Sequence, residues 1–296
     1  EGLLFGKEKP LNDYRKIIGD NPENMSLTAY GNKDIMGGDA KHGTHVAGII
    51  AADRYNNIGA QGVADNVAIL TLRVVPSGDE YDKDIALGIR YAVDKGAKII
   101  NMSFGKDVSP QQQWVEEAIR YAAQKDVLIV HAAGNDSKNL DENHNFPTSK
   151  MMDGSFAPNM ITVAASSDES IKGGTVATFT NYGKTTVDVF APGVKIYSPV
   201  PTTDKYAFLE GTSMASPVVS GIAALIRGYY PSLTAAEVKQ ILMESADKSL
   251  ADTEFKVPGT ENEKAPLSAM CVSGGIVNAA NALMLAEKMA MAKQNK

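Results

Sequence analysis

One cysteine, Cys271, stands among the 296 residues, so no internal disulfide can form and no cysteine framework exists for a metal. It reads as a small buried hydrophobe. No apolar run approaches the length that spans a membrane. Basic residues are the minority, 29 Lys and Arg against 35 Asp and Glu, and the net charge of −6 sets aside a nucleic-acid partner. No internal repeat occurs, Glu1 opens no signal-peptide pattern, and no histidine follows Ser213. What is present is globular: 44% hydrophobic and 22% charged residues, at a length that suits one α/β domain over 1–296.

Strand and helix patterns alternate through the first two-thirds. The runs Lys16–Gly19, Val67–Val75, Ala97–Ser103, Val127–Ala133 and Met160–Ser166 read as strands, with shorter strand-like runs at Val187–Ala191 and Tyr206–Glu210. Lys83–Lys95 and Gln111–Lys125 read as amphipathic helices. Near-continuous apolar strands between helices predict a three-layer α/β fold, a mostly parallel doubly wound sheet covered by helices on both faces. Later helices open at Ser213, at Thr234 with a Thr234/Glu237 capping box, and at Val277. Residues 1–14, 249–268 and the tail beyond Ala292 read as loose.

Three segments carry chemistry. In Gly211-Thr-Ser-Met-Ala-Ser-Pro217 a serine opens an apolar helix, where the helix dipole favours developing negative charge. Alone, Ser213 would be an ordinary N-cap. Its company changes that reading. His42 opens the small-residue helix His42-Gly-Thr-His-Val-Ala-Gly48, and Asn135 ends a buried strand in Ala132-Ala-Gly-Asn135. A base, an amide donor and a hydroxyl are the parts of serine acyl transfer. An esterase elbow is excluded, because it needs glycine two residues after the serine and that position is Ala215. His42 and His45 are three apart with Gly43 after the first, which is not the zinc-protease spacing, so His45 reads as a packed helical histidine. Ser216, one turn into its helix, should face a neighbouring carbonyl rather than a cleft.

HGTHVAG at 42–48, AAGN at 132–135 and GTSMASP at 211–217, in that order, make the chain resemble the subtilisin-like serine proteases, from about residue 15 to about residue 285. The resemblance implies a secreted or cell-envelope serine endopeptidase acting on polypeptides. It implies His42 as general base, Ser213 as nucleophile and Asn135 as side-chain donor to the oxyanion. It further implies that Ser103, Phe104 and Gly105 pair with an extended substrate, and that Ala132, Ala133 and Gly134 wall the pocket for the residue before the scissile bond. No cofactor is implied. Calcium, which many relatives bind, has the Asp-rich stretches 78–84 and 136–142 as its candidates.

One part of the pattern does not appear. The family's third catalytic residue is an Asp followed by Ser or Thr and Gly, upstream of the histidine, and no such triplet precedes His42. The carboxylates available are Asp13, Asp20, Asp34 and Asp39. Asp20 ends the run Lys16–Gly19 and is the candidate within the chain, although that run resembles the strand after the family's Asp loop. Asp39 resembles a common acidic residue ahead of the HGTH motif. The other expectation is that the chain is the larger, C-terminal piece of a protease whose first strand and Asp precede Glu1, held as a non-covalent N-terminal fragment of the same precursor. If nothing supplies the Asp, an inactive peptide-binding scaffold is the alternative.

Overall fold

The computed structural model describes residues 15–75, 80–171, 174–202 and 205–294. Four parallel strands form its centre, β1 (Ile99–Met102), β2 (Leu128–Ala132), β3 (Met160–Ser166) and β4 (Val189–Pro192), side by side in that order. Ile99 lies opposite Leu128, Ile129 opposite Met160, and Val163 opposite Val189. Every residue of β2 and β3 is buried. A strand covered on both faces has no need of polar alternation, which is why these two read as continuous apolar runs.

Successive side chains point to opposite faces, so each strand feeds two cores. Leu128, Val130, Ile161 and Val163 pack with helices α4 (Thr212–Tyr229), α5 (Ala235–Glu244) and α6 (Ala279–Gln294). Met102, Ile129 and Met160 face the other way, onto α2 (Asp82–Asp94) and α3 (Gln112–Gln124). This is the three-layer arrangement expected. Helix α1 (Lys41–Ala51) lies on α4, and the hairpin β5 (Ile196–Pro199) with β6 (Tyr206–Leu209) lies on α1. The Thr234/Glu237 capping box is formed in both directions at the start of α5.

Three expectations are corrected. Val67–Val75 forms no strand, and Ile69 and Leu70 are 45% and 48% exposed. A strand exists through its ladder, and this run joins no ladder among the described residues, where β1 is paired on one side only, with β2. Lys16–Gly19 is not a strand either: Lys16–Ile18 is a short 3₁₀ turn closed by Gly19, with Ile17 82% exposed. The stretch 249–268, expected to be loose, holds a hairpin of Glu254–Lys256 against Lys264–Pro266, and Leu267 anchors it beside Met270 and the buried Cys271. Residues 1–14 lie outside the described residues.

The segment ahead of α1 is tied down by charge rather than by apolar burial. The Arg15 guanidinium donates to Asp20 at 2.6 Å and to both oxygens of Asp84 at 2.7 Å. The fully buried Lys83 ammonium also donates to Asp20. Burial alone would raise the Asp20 pKa, but the hydrogen bonds from Lys83 and Arg15 outweigh it and hold the carboxyl below its ordinary value. A depressed carboxylate adds stability above its unfolded-state pKa and loses it as pH falls through the folded one. Removing one partner of such a buried set leaves an uncompensated charge. Asp20→Asn should therefore cost about 3–5 kcal/mol near neutral pH, measured by urea unfolding, with the deficit shrinking in acid.

Candidate active site

Helix α4 runs beneath the sheet and brings its N-terminus to the carboxyl ends of β1 and β2, where open α/β sheets place their ligands. Gly211 precedes it at φ 144°, a backbone that side chains rarely adopt. Ser213, half-buried, is the second residue of α4, so its N–H belongs to the first-turn amides that a helix leaves without an intrahelical partner. His42 is the second residue of α1. That helix is fixed against α4 by Val46 and Ile49 packed on Met214. His42, Asn135 and Ser213 line one cavity of about 470 Å³, together with Lys195, Phe208, Leu209, Glu210 and Met214.

The serine is bound to β1's end in both directions. Ser103 Oγ donates to the Ser213 carbonyl at 2.9 Å, and Ser213 Oγ donates to the Ser103 carbonyl at 3.2 Å. Behind them, Asn101 Nδ2 donates to Ser103 Oγ, and Asn101 Oδ1 accepts from Ser216 and Ser220, each at 2.9 Å. Ser216 is buried in this network and also lies 3.4 Å from the Val130 carbonyl, away from the cavity as expected.

Thr212 ties the same helix start to the end of β2. Its Oγ1 accepts from Gly134 N–H at 3.0 Å and donates to Asn135 Oδ1 at 3.0 Å, and its own N–H donates to that oxygen at 2.8 Å. With Oδ1 engaged twice, Asn135 is left with Nδ2 as its free donor at the cavity. Asn145 Nδ2 holds the carbonyls of Ala132 and Ala133 at 3.1 and 2.9 Å, and Asn181 Nδ2 holds Ala133 again at 2.9 Å. Thr212, Asn145 and Asn181 were not singled out in the sequence. Each acts through partners far away along the chain, and only the clustering of Asn and Thr near the motifs could have hinted at them. Ser103 and Gly134 join the site through these bonds. Phe104, Gly105, Ala132 and Ala133 sit beside the cavity and do not line it.

The four histidines differ sharply. Desolvation is the largest effect on His42 and lowers its pKa, the neighbouring His45 lowers it further, and Asp39 opposes both. No hydrogen bond or ion pair reaches the His42 ring among the described residues. Asp20 is committed to Arg15 and Lys83, Asp34 to the N–H groups of Met36 and Gly37, and Asp39 to the N–H of Lys41. Asp13 lies outside the described residues. His45 is buried, as expected, with Nε2 at 3.1 Å from both the Ile196 and Ala207 carbonyls. His131 is buried with Nε2 2.8 Å from the Phe104 carbonyl, and burial pushes it down to about 4. The His144 ring lies tilted against that of Phe146, with centroids 5.2 Å apart.

Of the stretches expected to hold calcium, residues 78 and 79 lie outside the described residues, and three of the remaining carboxylates are already engaged. Asp82 is taken by Lys106, Ser109 and Gln111, Asp84 by Arg15, and Asp141 by Thr185 and Thr186. Among the described residues no cluster of acidic, histidine or cysteine side chains is spaced for a metal.

These features agree with an independent match: a profile of the subtilase family, Peptidase S8, covers residues 17–265. The chain belongs to the subtilase family of serine-type endopeptidases. It is 40% identical over 217 residues to the thermophilic serine proteinase of Bacillus sp. (strain AK1), spanning 73% of this chain and 49% of that one. It is 38% identical over 222 residues to thermitase of Thermoactinomyces vulgaris, spanning 75% and 72%. Among solved structures, a protease of Pseudoalteromonas arctica PAMC 21717 superposes with a TM-score of 0.64 at 31% identity, covering 83% of this chain and 70% of that one. The prenylagaramide maturation protease PagA gives 0.63 at 28%, covering 83% and 82%.

His131 provides a check on the electrostatics. A histidine with a lowered folded pKa binds its proton more readily when unfolded, so the stability it lends is complete above about 6.5 and drains away as pH falls toward 4. Histidine NMR titration should rank His131 lowest, near 4, with His42 also below 6.5. Acid unfolding of His131→Val should lose the part of the pH slope that lies between those values.

Proposed function

We propose that residues 1–296 form one peptidase domain that hydrolyses peptide bonds through an acyl-enzyme. The observation that carries this reading is the meeting of the Ser213 hydroxyl, the His42 imidazole and the Asn135 amide in one cavity at the start of α4. Ser213 attacks the substrate carbonyl while His42 takes its proton. His42 then returns that proton to the leaving amine, and water repeats the cycle on the ester. The Ser213 N–H and Asn135 Nδ2 receive the oxyanion, and the bonds from Thr212 to Asn135 Oδ1 orient the amide for it. Ser103–Gly105 and Ala132–Gly134 receive the acyl half of the substrate along the ends of β1 and β2. Cell wall-associated protease of Bacillus subtilis is among the relatives, and we place the work of this chain in the secreted or cell-envelope space.

The carboxylate that orients His42 comes, in this proposal, from a further segment of the same precursor, bound without a covalent link. Among the described residues β1 is paired on one side only, which gives an extended segment somewhere to pair. With no such carboxylate, His42 has a depressed pKa and Ser213 Oγ rests on the Ser103 carbonyl instead of the imidazole. Docking a carboxylate favours the imidazolium, so the acid limb of kcat/KM should move to higher pH when the segment binds. Native mass spectrometry with an amidase assay on the chain, alone and with its precursor's other segments, tests this. If the 296 residues alone reached full turnover, the assignment would be wrong.

Ser213→Ala should abolish turnover and labelling by a fluorophosphonate while leaving the unfolding curve in place. Labelling at any other residue would remove Ser213 as nucleophile. Asn135→Leu should lower kcat by about 10²–10³, the cost seen when a related subtilisin loses one such donor, with KM little changed.

A further inference from the structure

The hairpin β5–β6 has two unlike faces. Ile196 and Leu209 turn inward onto Val46, Ile49 and Met214, and Ser198 Oγ donates to the His45 carbonyl at 2.7 Å. Side chains alternate along a strand, and the register sets Tyr197 opposite Phe208, so these two belong to the outer face with Tyr206. The Tyr197 ring centroid lies 5.0 Å from that of Phe208 and 5.3 Å from that of Tyr206. Phe208 is 66% exposed and Tyr197 42%. The Tyr206 ring is seated on Gly59, where an added Cβ would stand 1.9 Å from it. None of the three rings belongs to a hydrophobic core cluster.

This array continues out of the catalytic cavity, because Phe208 is also part of the cavity wall. Lys195 and Glu210 lie at the same end, exposed and of opposite sign. Their charges offset one another, so what remains distinctive there is aromatic surface. The side of the cleft follows from proton transfer. The general acid must reach the leaving nitrogen, so the departing half of a substrate passes His42. His42 begins α1, and α1 is the seat of the hairpin, whereas Ser103 and Gly134 are bonded to the start of α4 from the ends of β1 and β2.

We propose that the outer face of β5–β6 binds the polypeptide on the C-terminal side of the scissile bond and selects aromatic or large aliphatic residues there. The proposal rests on the acyl-transfer reading of Ser213 and His42. A peptide and a strand both advance roughly 3.3 Å per residue, and Phe208 and Tyr206 are two residues apart. Alternate side chains of an extended substrate therefore match the two rings, at the second and fourth positions after the bond. Rings that meet edge-to-face or offset on these three gain attraction beyond the burial of their area.

Quenched-fluorescence peptides sharing one acyl half and carrying Phe, Leu, Ser or Glu at those two positions test the idea in the assembled enzyme. A chromogenic amide with no residue beyond the bond runs beside them. Phe and Leu should exceed Ser and Glu by about tenfold in kcat/KM, mainly through KM, and Phe208→Ser or Tyr197→Ser should bring the ratio close to one. Tyr197→Phe should restore it, which separates lost ring contact from misfolding. Equal rates for the four peptides, or variants that keep the full preference, would overturn the proposal. A chromogenic amide left uncut, with Ser213 unlabelled by fluorophosphonate, would instead strike the acyl-transfer reading. In that event calorimetric binding of the leaving-half peptides to Ser213→Ala decides the surface by itself: the same ranking supports it, and no ranking removes it.

Discussion

Everything at this site depends on how the first turn of α4 is joined to two strand ends. Ser103 and Ser213 exchange hydrogen bonds, and Thr212 bonds both Gly134 and Asn135. Those contacts set the serine, the helix dipole and the amide donor in one frame. The frame is stiffened because these side-chain bonds are anchored on a buried sheet and a buried helix. Asn101 extends it inward to Ser216 and Ser220, so the polar groups beneath the serine are mutually satisfied. A geometry that must hold within a fraction of an ångström is better supported on such elements than on a free loop.

The same economy governs His42. It stands on a helix packed against α4 through Val46, Ile49 and Met214, so apolar contacts fix where the imidazole begins. Nothing among the described residues fixes how the ring is turned. Packing thus supplies position, and in the proposed mechanism a docked carboxylate supplies orientation. The N-terminal ion network makes the contrast plain. Asp20, Asp84, Arg15 and Lys83 neutralise each other completely, and no carboxylate in that group is left to serve another residue.

Much of this was legible in the residues. The apolar runs at 128–132 and 160–166 read as buried parallel strands because both of their faces are covered, and the helices at 82–94 and 112–124 followed from their periodicity. His42, Asn135 and Ser213 stood out as a parts list for one reaction. The run 67–75 was read as a strand from composition, yet strands are made by partners, and composition does not report those. Lys16–Gly19 failed for a related reason: two β-favouring isoleucines closed by a glycine at positive φ make a turn. The hydrogen bonds of Asn101, Asn145, Asn181 and Thr212 are properties of the fold, since each side chain could equally have faced water. The aromatic face of β5–β6 needs the register of Tyr197 against Phe208 before it becomes a surface at all.

The side of β1 that has no strand beside it among the described residues has a consequence for how the molecule behaves as a population. Main-chain donors and acceptors do not discriminate by sequence, so any strand that pairs there competes with a second copy of the chain for one place. A strand on the same polypeptide competes at a fixed local concentration, but a second copy competes at whatever concentration the solution holds. Dilution therefore favours pairing within one molecule, and crowding favours self-association.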